Sequence, residues 1–153
     1  MAERSRPMKK EAVLQWCDRV LTAFFALSFI LIAVLLAMSS ISVLAKLVLS
    51  TGLPFLFITY MRQFLSKKRP YQNGVQAAPR KGDNDSFPSR HAFSAFLIAM
   101  TAFSIESLFG YALLVLAVLL SALRVFRGIH YPIDVIAGGF FGVFFGTICL
   151  IIL

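Results

Sequence analysis

Between Val20 and Ala45 the chain carries no charged side chain, and after a lone Lys46 a second uncharged run extends from Leu47 to Met61. A helix crossing the hydrocarbon core of a bilayer takes about 20 residues, so the stretch is too long for one crossing and sufficient for two. Few structures accept such a sequence in lipid, because every backbone polar group must be paired inside the segment, and a helix does this by itself. The break is expected at Met38-Ser39-Ser40-Ile41-Ser42, where hydroxyl residues interrupt the aliphatic run. Lys46 can then reach back to the interface, and Pro54 predicts a kink in the second crossing.

Three more crossings follow: Pro88 to Ile105, Tyr111 to Leu123 after a tight turn over Glu106 to Gly110, and Ile133 to Leu153. The expected fold is all-α, a polytopic membrane helix bundle of about five transmembrane helices with an N-terminal interfacial helix. Residues 1–18 read as that basic interfacial segment, with Trp16 as a headgroup anchor, because the apolar run behind them is too long for a cleavable signal. Residues 19–153 read as a single membrane-embedded domain, with 62–87 as its one polar loop. Only 14% of the residues are charged, where soluble domains carry about a quarter. Gly138, Gly142 and Gly146 recur every fourth residue, a stripe that lets membrane helices approach closely. Cys17 and Cys149 lie far apart in or beside apolar runs and read as packing residues.

The net charge of +8 calls for an anionic partner. No soluble domain remains to carry a nucleic-acid-binding face, so a membrane surface or an anionic substrate is left. Alternation of the crossings says where the charge gathers. The end of the second crossing, the start of the third, the end of the fourth and the start of the fifth share one membrane face. Arg62, Arg69, His91, Arg124 and His130 therefore converge there from four helix ends.

Arg62 to Pro70, taken alone, reads as a juxtamembrane patch for lipid headgroups, and Lys67 and Lys68 need no other role. Phe87-Pro88-Ser89-Arg90-His91 is more specific. Pro88 is expected at the first helical position with Phe87 as the cap, so first-turn N–H groups and the Ser89 hydroxyl form an anion cradle with His91 at its edge. A histidine bonded within the bundle is the plainer alternative. In the third cluster, Arg124 to Asp134, Pro132 again marks a helix start, with Tyr131 as cap and Asp134 in the first turn. His130 is then close enough for a ring N–H to bond Asp134, which fixes its tautomer and leaves the other nitrogen more nucleophilic. Service as an N-terminal dipole partner alone would explain Asp134 but not His130. Arginines around one oriented and one free histidine suit phosphoryl transfer, whose charge spreads over several oxygens. Asp134 reads as the only carboxylate in the cluster, with Asp83 and Asp85 as turn residues, so neither a metal nor another cofactor is expected.

These clusters together resemble the three motifs of the type 2 phosphatidic acid phosphatase superfamily, K-x6-R-P, P-S-G-H and S-R-x5-H-x3-D. They stand here as Arg62-x6-Arg69-Pro70, Pro88-Ser89-Arg90-His91 and Leu123-Arg124-x5-His130-x3-Asp134, and the likeness covers roughly 45–153. The resemblance implies a membrane lipid phosphatase. In it His130 attacks phosphorus to form a phosphohistidine, Asp134 orients it, and His91 protonates the leaving oxygen and then activates water. Arg62, Arg69, Arg124 and Ser89 hold the phosphate without a metal. Arg62 stands for the family's lysine, Arg90 for its glycine and Leu123 for its serine; Arg90 is a candidate further phosphate contact. The implied partner is a lipid phosphate of the undecaprenyl diphosphate, phosphatidylglycerol phosphate or phosphatidate type. A phosphotransferase using the same intermediate and a non-catalytic phospholipid- or anion-binding protein are the alternatives. The bundle is compatible with a homo-oligomer as well as a monomer.

With five crossings the N-terminus and the site share a face. Arg4, Arg6, Lys9 and Lys10 argue for the cytoplasm. Lys46 on the opposite loop and the usual placement in the family argue for the outer face of the cell membrane, which is the expectation adopted.

Overall fold

The computed structural model describes residues 6–65, 70 and 86–153, which form five α-helices: α1 (Arg6–Ser39), α2 (Ile41–Leu65), α3 (Arg90–Ala102), α4 (Ser107–Phe126) and α5 (Pro132–Ile152). Four of them contain stretches long and apolar enough to cross a membrane: Glu11–Ser39, Ile41–Leu65, Ser107–Phe126 and Pro132–Ile152. The first break falls where the hydroxyl cluster placed it, on the single residue Ser40. The Ser39 hydroxyl donates to the Leu36 carbonyl at 2.7 Å, and the Ser40 hydroxyl accepts the Ser42 N–H at 3.2 Å, so local side-chain bonds serve the backbone at the turn. α2 runs through Pro54 as one element.

Three boundaries differ from the sequence expectation. The N-terminal interfacial segment is not a separate helix over the described residues, because α1 is continuous from Arg6. Neither Gly nor Pro occurs between Met8 and Ser39, and Pro7 sits in the first turn, where proline is tolerated. Trp16 does lie on the exposed outside of the helix. At its other end α4 begins at Ser107, so the expected turn over Glu106 to Gly110 is the helix start. The Glu106 carboxylate is its cap, accepting the Phe109 N–H at 2.8 Å.

The third difference is α3, only 13 residues long where a full crossing over Pro88 to Ile105 is expected. At 1.5 Å per residue it reaches about 20 Å, short of the roughly 30 Å hydrocarbon core. It needs no such reach because it is the centre of the bundle. Ala92, Phe93, Ala95, Leu97, Ala99 and Ala102 are all buried, and helices α1, α2, α4 and α5 pack around it. A helix apolar on all sides belongs inside.

α5 packs most extensively on α3, and its glycine stripe is the contact. A Cβ at Gly138 would stand 2.5 Å from the Ser89 carbonyl oxygen, one at Gly142 2.6 Å from that of Phe93, and one at Gly146 would run into the Met100 Cβ. The outside of the bundle is covered by exposed aliphatic and aromatic side chains such as Leu27, Leu56, Val115 and Phe140, as a lipid solvent demands.

Candidate active site

Each helix contributes to one end of the bundle by its own local chemistry. α2 ends with Arg62 in its last turn, where a cation complements the helix dipole. Arg62 is buried, and its Nη1 donates to the Pro88 carbonyl at 3.3 Å, tying α2 to the segment before α3.

That segment is Ser86-Phe87-Pro88-Ser89. The expected cap at Phe87 is instead at Ser89, two residues on, so α3 opens with Arg90. Ser89 has the extended backbone of a cap and a hydroxyl able to accept from the first turn, which Phe87 lacks; its Oγ accepts the Ala92 N–H at 3.4 Å. Ser89 is fully buried, and its own N–H donates to the Asp134 carbonyl at 2.9 Å. The starts of α3 and α5 are thereby joined backbone to backbone.

α4 ends at Phe126 and the chain reverses through Gly128, the one described glycine with positive φ, at 62°. A left-handed residue just past a helix end favours glycine. The Ile129 and His130 N–H groups then both point at the Arg124 carbonyl, at 3.1 and 3.4 Å, which seats His130 over the end of α4. α5 starts as expected, with Tyr131 as cap and Pro132 in the first position.

Asp134 is wholly buried and does two jobs that the sequence set against each other. Its Oδ2 accepts the Tyr131 N–H at 2.9 Å, closing the helix start, and the same oxygen stands 3.8 Å from Nδ1 of His130. Ser86 completes the group: its hydroxyl hydrogen-bonds Oδ2 of Asp134, and its Oγ lies 3.4 Å from Nδ1 of His130. A carboxylate, a hydroxyl and an imidazole edge thus face one another out of water. The Nδ1 edge of His130 is the one turned to Ser86 and Asp134.

His91, in the first turn of α3, is half-buried. With Arg90 it lines a cavity of about 270 Å³ whose wall continues through Phe25, Phe55, Ser94 and Ile98. A second cavity of about 250 Å³ shares Phe55, Ser94 and Ile98 and extends to Phe29 and Thr51. Thr51 lies 11 residues before Arg62 on α2, about 16 Å deeper along the helix.

Of the residues singled out in the sequence, Arg62, Ser89, Arg124, His130 and Asp134 are brought together by these bonds, and Arg90 and His91 open α3 beside them. Arg69, with Lys67, Lys68, Asp83 and Asp85, lies outside the described residues. Two participants are additional. Ser86 was read as loop; its only signal is adjacency to the second cluster. Asp18 on α1 is buried, its Oδ1 2.7 Å from Nε of Arg124 and its Oδ2 bonded to Nη1 of Arg127. Asp134 is therefore not the only carboxylate in the cluster, a correction to the sequence reading. Asp18 was discoverable, because the alternation that gathers the arginines also puts the entrance of the first crossing on their face. Even so, Arg62, Arg90, Arg124 and Arg127 outnumber the two acids, and the site is cationic.

Comparison with known proteins agrees with this architecture. The profile of the PAP2 superfamily matches residues 20–153. A 60-residue stretch, 39% of this chain, is 40% identical to the bacitracin transport permease protein BcrC of Bacillus licheniformis, and it spans only 30% of that relative's length. In structure, the chain is similar to the transmembrane PAP2 type phosphatidylglycerolphosphate phosphatase of Bacillus subtilis, with a TM-score of 0.69 at 18% identity over 96% of this chain and 85% of the other. It is likewise similar to LpxE of Aquifex aeolicus, with a TM-score of 0.65 at 23% identity over 91% and 93%. At such identities the structural likeness speaks for the fold.

Proposed function

The chain belongs to the PAP2 superfamily, and from that membership we propose that it is a membrane lipid phosphatase acting on a lipid phosphomonoester or diphosphate through a phosphohistidine. Nε2 of His130 attacks phosphorus while Asp134 and Ser86 hold the Nδ1 side. The bond to the leaving oxygen breaks, and that oxygen takes its proton from His91. Water, giving a proton back to His91, then attacks the phosphohistidine, releases inorganic phosphate and frees His130. Arg62, Arg69 and Arg124, with Ser89 and the first-turn N–H groups of α3, hold the phosphoryl oxygens and stabilise their charge, and Arg90 is the further contact, to the second phosphate of a diphosphate. No step calls for a metal ion.

The observation that carries this reading is the buried Asp134–Ser86–His130 group beside a cluster of arginines. A protein that only binds phospholipid or anions needs the arginines but not a histidine oriented by a buried carboxylate. The paired cavities favour a lipid substrate: they run from Arg90 and His91 into the apolar body of the bundle, as a headgroup with a hydrocarbon tail would require. Undecaprenyl diphosphate, phosphatidylglycerol phosphate and phosphatidate fit that description, and Lys46 on the opposite loop supports a site on the outer face of the cell membrane. Transfer to a lipid hydroxyl in place of water uses the same intermediate.

Purified protein in detergent, with chelator present, is expected to release inorganic phosphate from at least one of these lipids. Absence of release from all of them would overturn the assignment, and a phosphorylated lipid acceptor in place of free phosphate would identify the transferase.

A further inference from the structure

Helix α1 supplies none of the motif residues, yet it grips one of them. Asp18 is 1% exposed on α1, two residues before the uncharged run that begins at Val20. A carboxylate that deep is costly to desolvate, and an apolar residue there would extend the helix into lipid without that cost. Its Oδ1 stands 2.7 Å from Nε of Arg124, a charge contact rather than an aligned hydrogen bond. One turn on, the Thr22 hydroxyl accepts from Nη2 of Arg124 at 3.2 Å and donates to the Asp18 carbonyl at 2.7 Å. Two residues spaced four apart on one helix face therefore hold the Nε–Nη2 edge of a single guanidinium. The carbonyl of that same arginine receives the N–H of His130.

We propose that Asp18, assisted by Thr22, is a positioning residue for phosphate binding: it fixes the Arg124 guanidinium from α1 so that the arginine meets the phosphoryl group as His130 attacks. The proposal rests on the phosphate-binding role given to Arg124 above. The competing explanation is that Asp18 merely neutralises Arg124 and Arg127. The two separate in a double variant, Asp18→Asn with Arg127→Gln, which removes one charge of each sign and leaves no uncompensated cation beyond those of the native site.

Orthovanadate, a mimic of the transferring phosphoryl group, is the probe. The double variant is expected to melt in detergent close to the wild type, yet to be inhibited about ten- to a hundredfold more weakly and to show a raised KM, since small misplacements of a catalytic contact have effects of that size. Inhibition equal to the wild type would overturn the proposal in favour of charge balance. Thr22→Val keeps both charges and the side-chain shape, so it decides the matter should the double variant fail to fold. It is expected to weaken vanadate about two- to tenfold, the scale of one hydrogen bond, and unchanged inhibition would again overturn the proposal. A wild-type protein that neither releases phosphate nor responds to vanadate would instead remove the phosphatase assignment itself.

Discussion

The backbone N–H of Ser89 donates to the backbone carbonyl of Asp134 at 2.9 Å, so the cap of α3 and the first turn of α5 are locked to one another. The residue that caps α3 and the residue that faces His130 cannot move independently. Close approach of α3 and α5 is what permits that bond, and the glycine stripe permits the approach.

Gly138→Ala is therefore expected to damage site and fold together, because the new methyl would meet the Ser89 carbonyl at 2.5 Å. Overpacking of this kind costs about 1–3 kcal/mol. Thermal unfolding in detergent should show the loss, with phosphate release falling in parallel. Gly52→Ala, with nothing within 4 Å of the added carbon, should keep or raise the melting temperature.

Ser86 stands between a buried carboxylate and the imidazole, so its removal should act on catalysis more than on binding. Ser86→Ala is expected to lower kcat about tenfold or more, the scale of a hydrogen bond to a charged group, while KM stays within a factor of a few. Steady-state kinetics on a lipid phosphate reads this directly. A KM effect alone would place Ser86 with the substrate contacts.

The roles proposed for the two histidines need opposite protonation states. Attack requires neutral His130, so the rate falls as pH drops and that ring gains a proton. Proton donation requires protonated His91, so the rate also falls as pH rises and that ring loses its proton. A bell-shaped profile results. His91→Gln should leave a slower enzyme without the alkaline limb, measured from mildly acid to mildly alkaline pH.

Arg90 opens α3 where the family motif has glycine, and it lines the cavity with His91. A second phosphate would sit beside the first, within reach of an added guanidinium. Arg90→Gly is expected to lower diphosphate turnover about tenfold relative to monophosphate, as loss of one charge-assisted hydrogen bond would. Equal loss on both substrates would make Arg90 a general contact instead.

Hydrophobic run length and alternation were enough to give a helical membrane bundle, the Ser40 break and the gathering of arginines at one end. Motif spacing was enough to place His130, Asp134 and the start of α5. What stayed hidden depended on tertiary contact. α3 is short because neighbours cover it, and all-round apolarity fits a central helix and a lipid-facing span alike. The cap at Ser89 rather than Phe87 arises from hydroxyl geometry and a bond to α5. Asp18 was read with the N-terminal segment because its partners are more than a hundred residues away in sequence, although its side of the membrane was already implied. Ser86 looks like any loop serine until the carboxylate it serves is in view.

The proposed function turns on a covalent phosphoenzyme at His130. Wild-type protein mixed with a radiolabelled lipid phosphate and quenched within the turnover time should carry label that is stable to alkali and released by acid, on the peptide containing His130. His130→Ala, folded to the same melting temperature, should carry none and release no phosphate. Phosphate release by His130→Ala at a rate near the wild type would contradict the account.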